Sequence, residues 1–325
     1  MKFKTNLILA ASVAMALSAP FAHADTFLFS PTGDGTTVVS VGTIDQAPGN
    51  ALAVGGVAAT QAAAVAGPGG TFQLYYQANL NSFLKPGTNA TPAFTNGDLG
   101  KFFTFTASFT EQIIGFSQSS FNGTTTQTAT FGLAPVQAQN YYRIYATNSA
   151  ADNAAGTGFT SPKLIFQGTV VSEPVGNYTA TTASRTNPVS GPLDQYTSTP
   201  DNYPGTQSVT GGGQTTFNVN LIAANGDFAD TSYFPQFGNA TVTSNFTTNN
   251  GSPFTQVDPS RLVNGIAPNV GAVNGLNGPD FLLQADASQT VRFSPNVVPE
   301  PATTAMLGLG LAMLGFFGIS RKKNS

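Results

Sequence analysis

Phe103, Phe105, Ala107 and Phe109 alternate without a break with Thr104, Thr106, Ser108 and Thr110. A period of two puts the aromatic residues on one face of a strand and the hydroxyls on the other. The pattern recurs in Thr71–Leu80, Tyr141–Thr147, Lys163–Val171, Thr215–Ala223 and Ala240–Thr247, and more loosely in Phe281–Ala287. Strands with one buried and one wetted face belong to antiparallel sheets, not to the doubly covered parallel sheets of α/β proteins. Asn96-Gly97-Asp98, Asn122-Gly123, Asn225-Gly226-Asp227, Asn250-Gly251 and Asn277-Gly278 supply turn chemistry between the runs. Ala51–Ala66 is the nearest approach to a helix in the body, but Gly55-Gly56 interrupts it and no apolar stripe is clear. Ser172–Gly213 is rich in Pro, Thr, Ser and Gly and reads as a long loop or lid. The expectation is an all-β fold, an antiparallel β-sandwich-like body with long loops, whose strand order the pattern leaves open.

Composition decides whether such a body has a core. Only 8% of the residues are charged, against about 25% in an ordinary soluble protein, yet the chain holds 26 Phe and 9 Tyr. Aromatic residues in that number exclude a disordered polar tract. No cysteine is present, so stability comes from burial, and disulfides, thiolate metal sites and cysteine nucleophiles are excluded. The single histidine, His23, lies in the N-terminal export signal described next. From Asp25 to Val297 there are seven basic and fourteen acidic residues, a net charge of −7, with no basic stripe. Nucleic acid is thereby excluded as a partner.

Both ends read as addresses. Lys2 and Lys4 precede an apolar run from Leu7 to Leu17, and Ala22-His23-Ala24 forms a small-residue cleavage site before Asp25. Residues 1–24 therefore read as a signal peptide handled by the Sec translocon, and residues 25–297 as the extracytoplasmic β-rich domain. At the other end Val298-Pro299-Glu300-Pro301 precedes an apolar stretch, 302–319, closed by Arg321, Lys322 and Lys323. Its length suits a single short transmembrane helix, and the basic tail 321–323 stays cytoplasmic by the positive-inside rule.

The order Pro-Glu-Pro, apolar helix, basic tail resembles the PEP-CTERM sorting signal of Gram-negative bacteria over residues 298–325. The resemblance implies recognition by an exosortase near the Pro-Glu-Pro, a transient stay in the inner membrane, and transfer to the cell surface or extracellular matrix. The stretches FFTFTASFTEQIIGF (102–116), YYRIYATNSAA (141–151), GFTSPKLIFQGTVV (158–171) and NGPDFLLQADASQTVRF (277–293) resemble the flocculation-associated PEP-CTERM proteins. That likeness implies a non-enzymatic role with exopolysaccharide in holding cells in flocs. A carbohydrate-binding surface module is the alternative function, and a carboxylate-based enzyme acting on polysaccharide the lesser one.

For acid–base chemistry the body offers two glutamates, Glu111 and Glu173, and twelve aspartates. A glycosidase needs two carboxyls roughly 5–10 Å apart, but nothing in the sequence brings such a pair together, so no catalytic residue is expected. Asp227 and Asp230, with Asn225, and more distantly Asp280 and Asp286, are weak calcium candidates by their hard oxygen donors, set against ordinary turn chemistry. No other cofactor is expected. The Thr-rich stretches Gly123–Thr130 and Tyr178–Thr186 are candidate acceptors of O-linked glycans.

Overall fold

The computed structural model describes residues 26–87, 91–182, 190–197, 200–229, 240–246 and 251–293. Both terminal addresses, including Ala22, Ala24, Asp25, Val298–Pro301, the expected helix 302–319 and Arg321–Lys323, lie outside the described residues. Among the described residues no helix is long and apolar enough to cross a membrane.

The first half of the body contains β1 (Phe27–Phe29), β2 (Val39–Val41), β3 (Thr43–Gln46), β4 (Gly49–Val54), helix α1 (Gly56–Ala66), β5 (Thr71–Leu84) and β6 (Pro92–Thr95). There follow β7 (Phe102–Phe121), β8 (Thr124–Leu133), β9 (Tyr141–Thr147) and β10 (Lys163–Thr182). The remainder supplies β11 (Gly191–Pro192), β12 (Gln207–Ser208), β13 (Thr210–Ala224), β14 (Ala240–Phe246), β15 (Val273–Asn274), β16 (Phe281–Ala285) and β17 (Ser288–Phe293).

The ladders close on themselves. β5 pairs with β7, β7 with β8, β8 with β10, β10 with β13, β13 with β14, β14 with β17, β17 with β3, and β3 again with β5. Every step is antiparallel, so the expected sheet is present, but as a ring of eight strands rather than two separate layers. A ring of this size has an interior just wide enough for side chains or one small ligand.

One side of the ring holds two strands end to end. Between β7 and β10 sit first β9 and then β8. Where the wall breaks between them, side-chain amides continue the ladder. Gln137 accepts from the Thr110 N–H at 2.8 Å and donates to its carbonyl at 3.2 Å, and Asn140 does the same for Val170 at 2.7 and 2.8 Å. The hairpin joining β7 to β8 turns on Asn122 and Gly123, both at positive φ (47° and 82°), which a two-residue loop between twisted strands requires.

Alternation sorts the two faces as the sequence implied, but the hydroxyl face of β7 is not wetted: Thr104, Thr106, Ser108 and Thr110 are buried as well. Phe103, Phe105, Ala107 and Phe109 of β7 face inward, with Tyr76 and Ala78 of β5, Tyr142 and Ile144 of β9, and Phe217, Val219 and Leu221 of β13. One end of the interior is plugged by β1: Phe29 stacks on Phe83 at 4.2 Å and meets Phe103 edge-on at 5.5 Å, while Phe27 meets Phe166 at 5.6 Å. Each fully buried aromatic side chain contributes roughly 1.5–3 kcal/mol of burial free energy. The outward residues Leu52, Tyr75 and Leu282 are buried as well, under Leu193, Phe254, Val257, Val263 and Val270.

Two expectations are corrected. Gly56–Ala66 is a helix after all; its apolar stripe is short, with Val57, Ala59 and Ala63 buried, because small residues suffice where a helix lies close on a sheet. Gly55, left-handed at φ 78°, is its N-cap rather than an interruption. The segment 172–213 is not one loop. Its start completes β10 and its end opens β13, and between them β11 and β12 join β15 in a small sheet within the cover over Leu52 and Leu282.

Candidate functional site

On β7 the inward position after Phe109 is Glu111, paired across the ladders with Phe72 and Leu133. It is 3% exposed. On β10 the register jumps from Ser172↔Asn218 to Val175↔Thr216, so Glu173 and Pro174 together oppose the single residue Phe217. This is a β-bulge, and Pro174, which has no N–H to give to a ladder, fits there. The bulge turns Glu173 inward over Gly176. A methyl group at Gly176 would lie 2.2 Å from Glu173 Oε1 and 3.2 Å from the Phe131 carbonyl oxygen. The absent side chain is what lets the carboxyl lie there.

The two glutamates of the body thus come together, close enough to influence each other's ionisation. Among the described residues no hydrogen-bond donor reaches either oxygen of Glu173, both of which are buried. Burial pushes the Glu111 carboxyl from 4.5 up to about 7, with the neighbouring Glu173 carboxyl opposing the rise. Glu173 is raised further, first by burial and then by the neighbouring Glu111 charge. Two carboxyls buried side by side do not both ionise readily, so each holds its proton to higher pH than it would in water.

Glu111 also faces a cavity of about 150 Å³ at the end of the barrel away from β1. Its walls are Phe72, Leu74 and Tyr76 of β5, Ala129 and Phe131 of β8, Tyr178 and Ala180 of β10, and Phe281, Leu283 and Ala285 of β16. Phe72 meets Phe131 at 5.3 Å and Tyr178 meets Phe281 at 5.0 Å, both edge-on. Thr60 and the exposed Gln61 of α1 sit on the rim. The helix is held there by Asp280, whose two oxygens accept from the Gly55 and Asn269 N–H groups, each at 2.9 Å.

A second surface differs in kind. The far parts of β7, β8 and β10 carry no charged residue over 112–133 and 175–182. Hydroxyls and amides there pair across strands: Ser120 with Thr125 at 2.9 Å, Gln127 with Gln118 at 2.8 Å, and Thr128 with Thr179 at 2.9 Å. Ser117–Phe121 are exposed.

Of the calcium candidates, Asp227 is exposed in a turn whose N–H donates to Asn225 Oδ1 at 3.0 Å, which is ordinary Asx-turn chemistry. Asp230 lies outside the described residues. Asp280 spends both oxygens on backbone N–H groups. Among the described residues no cluster of three or more metal-ligating side chains is present. The Glu111–Glu173 meeting escaped the sequence because the residues are 62 positions apart and come together only through the closed ring and one bulge; Glu-Pro inside a β-branched run is the local sign of that bulge.

Residues 297–322 match the PEP-CTERM protein-sorting motif. The motif marks the chain as an exported protein processed by an exosortase. No curated protein and no solved structure matches the chain.

Proposed function

We propose that the chain is a non-enzymatic surface or extracellular-matrix protein that promotes cell aggregation together with exopolysaccharide after exosortase processing. The observation that carries this reading is the sorting motif attached to a β body that presents an uncharged, hydroxyl- and amide-rich face on β7, β8 and β10. Sugar hydroxyls exchange hydrogen bonds with such groups at little desolvation cost, whereas a charged face resists losing its water. That same face favours the carbohydrate-binding module as the second reading, in which the protein holds one glycan without building a matrix.

The carboxylate enzyme is the weakest alternative. Glycosidase carboxyls stand about 5–10 Å apart across a cleft that admits a sugar bond or water, whereas Glu111 and Glu173 are buried together inside the barrel wall. No cofactor enters the proposal, and calcium at Asp227 and Asp230 has no support beyond the residue types. Inner-membrane residence before cleavage and release to the surface follow from the sorting reading.

The test is deletion of the gene in the native host, scored for floc sedimentation and total secreted polysaccharide. Dispersed cells that still make polysaccharide are expected. Flocs that persist unchanged would remove the matrix role, and a titration against purified polysaccharides then decides whether glycan binding alone remains.

A further inference from the structure

We propose that the barrel cavity is a binding site for a small organic ammonium: a compact apolar body of about six or seven carbons bearing one amine. The size comes from the space. A dry apolar cavity of about 150 Å³ accepts a molecule of benzene size, and the cavity here has that volume. It reaches the surface beside the exposed Gln61, which gives a ligand a way in.

The charge comes from the walls. Glu111 is the ionisable acid on the lining, and among the described residues no Lys, Arg or His lines the cavity. Behind it stands Glu173, whose two buried oxygens receive no hydrogen-bond donor among the described residues. The lining residues contributed by β5, β8, β13, β16 and α1 bring no charged group to face the pair. An ammonium supplies up to three N–H donors and a positive charge to carboxyls already stripped of water by the fold, so no further desolvation of the carboxyls opposes binding. Phe72, Tyr76, Phe131 and Tyr178 add aromatic surface, which attracts cations. A carboxylate ligand meets like charge, and a neutral ligand leaves the pair's charge unanswered. This inference stands apart from the matrix reading, because it concerns the barrel interior and not the polar face.

The experiment is calorimetric titration of the full-length protein at pH 8 with benzylamine, benzyl alcohol and benzoate, which share one ring. Benzylamine is expected to bind on the order of tenfold tighter than benzyl alcohol, the scale of a hydrogen bond to a charged group, and benzoate not at all. Glu111→Gln brings the amine to the level of the alcohol, while Ala129→Leu, which fills the cavity, weakens both. Lowering the pH to 5 protonates the pair in the unaltered protein and removes the preference for the amine, a readout that does not depend on any variant folding. Absence of benzylamine binding to the folded protein, or alcohol or benzoate binding as tightly as the amine, overturns the proposal.

Discussion

The buried carboxyl pair makes the stability of this protein fall as pH rises through neutrality. Glu111 ionises at 4.5 in an ordinary setting and at about 7 in the fold. Between those values the unfolded chain has released a proton that the folded chain keeps. The folded state binds more protons, so its stability declines with pH by about 1.4 kcal/mol per pH unit. Across the interval this amounts to roughly 3 kcal/mol for Glu111 alone. Glu173 is raised in the same direction, so it adds a loss of the same sign that continues to higher pH. The stabilisation is complete below pH 4.5 and is lost upward. Asp34 is held below its ordinary 3.8 by the Thr32 hydroxyl and by Thr36; it acts with the opposite sign, in acid, outside this window. The perturbation is the double substitution Glu111→Gln and Glu173→Gln, and the assay is urea unfolding from pH 4.5 to 8.5. Relative to the unaltered protein, the variant should gain about 3 kcal/mol or more between pH 5 and 8. Taking the difference removes the contributions of Asp194, Asp258 and Asp286, whose carboxyls burial also raises. Two profiles that stay parallel across the range would refute the reasoning.

Gly176→Ala forces a methyl group against Glu173 and the Phe131 carbonyl and should cost about 1–3 kcal/mol, read by urea unfolding. Tyr142→Phe removes the buried 2.6 Å hydrogen bond to Gln289 and should lower stability by about 1–3 kcal/mol, measured the same way. Phe29→Ala empties the plug against Phe83 and Phe103 and should cost about 3–5 kcal/mol, seen as a drop in melting temperature. Chelation with EDTA should leave the melting temperature unchanged, since the Asp227 turn is closed by Asn225; a fall would revive calcium.

Strands were legible where apolar and polar residues alternate strictly, whether or not the polar face is covered, as on β7. Tyr141–Thr147 is the strand its alternation indicates, and Phe102–Phe121 extends the Phe103–Thr110 run. The extension was hidden because Ser117–Phe121 leave the core and need no apolar period. Leu52, Tyr75 and Leu282 obscured the pattern for the opposite reason: both faces of their wall are covered. Closure of the ring is a long-range property, resting on pairings such as Thr43↔Thr290 that no local pattern encodes. The sorting motif was fully readable because an exosortase reads it as sequence. The carboxyl pair was not, because its cause is a bulge and a missing methyl group.

The last strand of the body carries a mechanical implication. β17 runs to Phe293, shortly before the sorting motif, with residues 288–293 registered against β14 and 288–290 against β3. A protein tethered at its C-terminus to a surface or polymer takes the load of a drifting cell through this strand. Flanked on both sides, β17 has no free edge along 288–290 from which to peel, and tearing it out means breaking two ladders together. The ring that encloses the cavity is therefore also a grip, placed where the pull arrives.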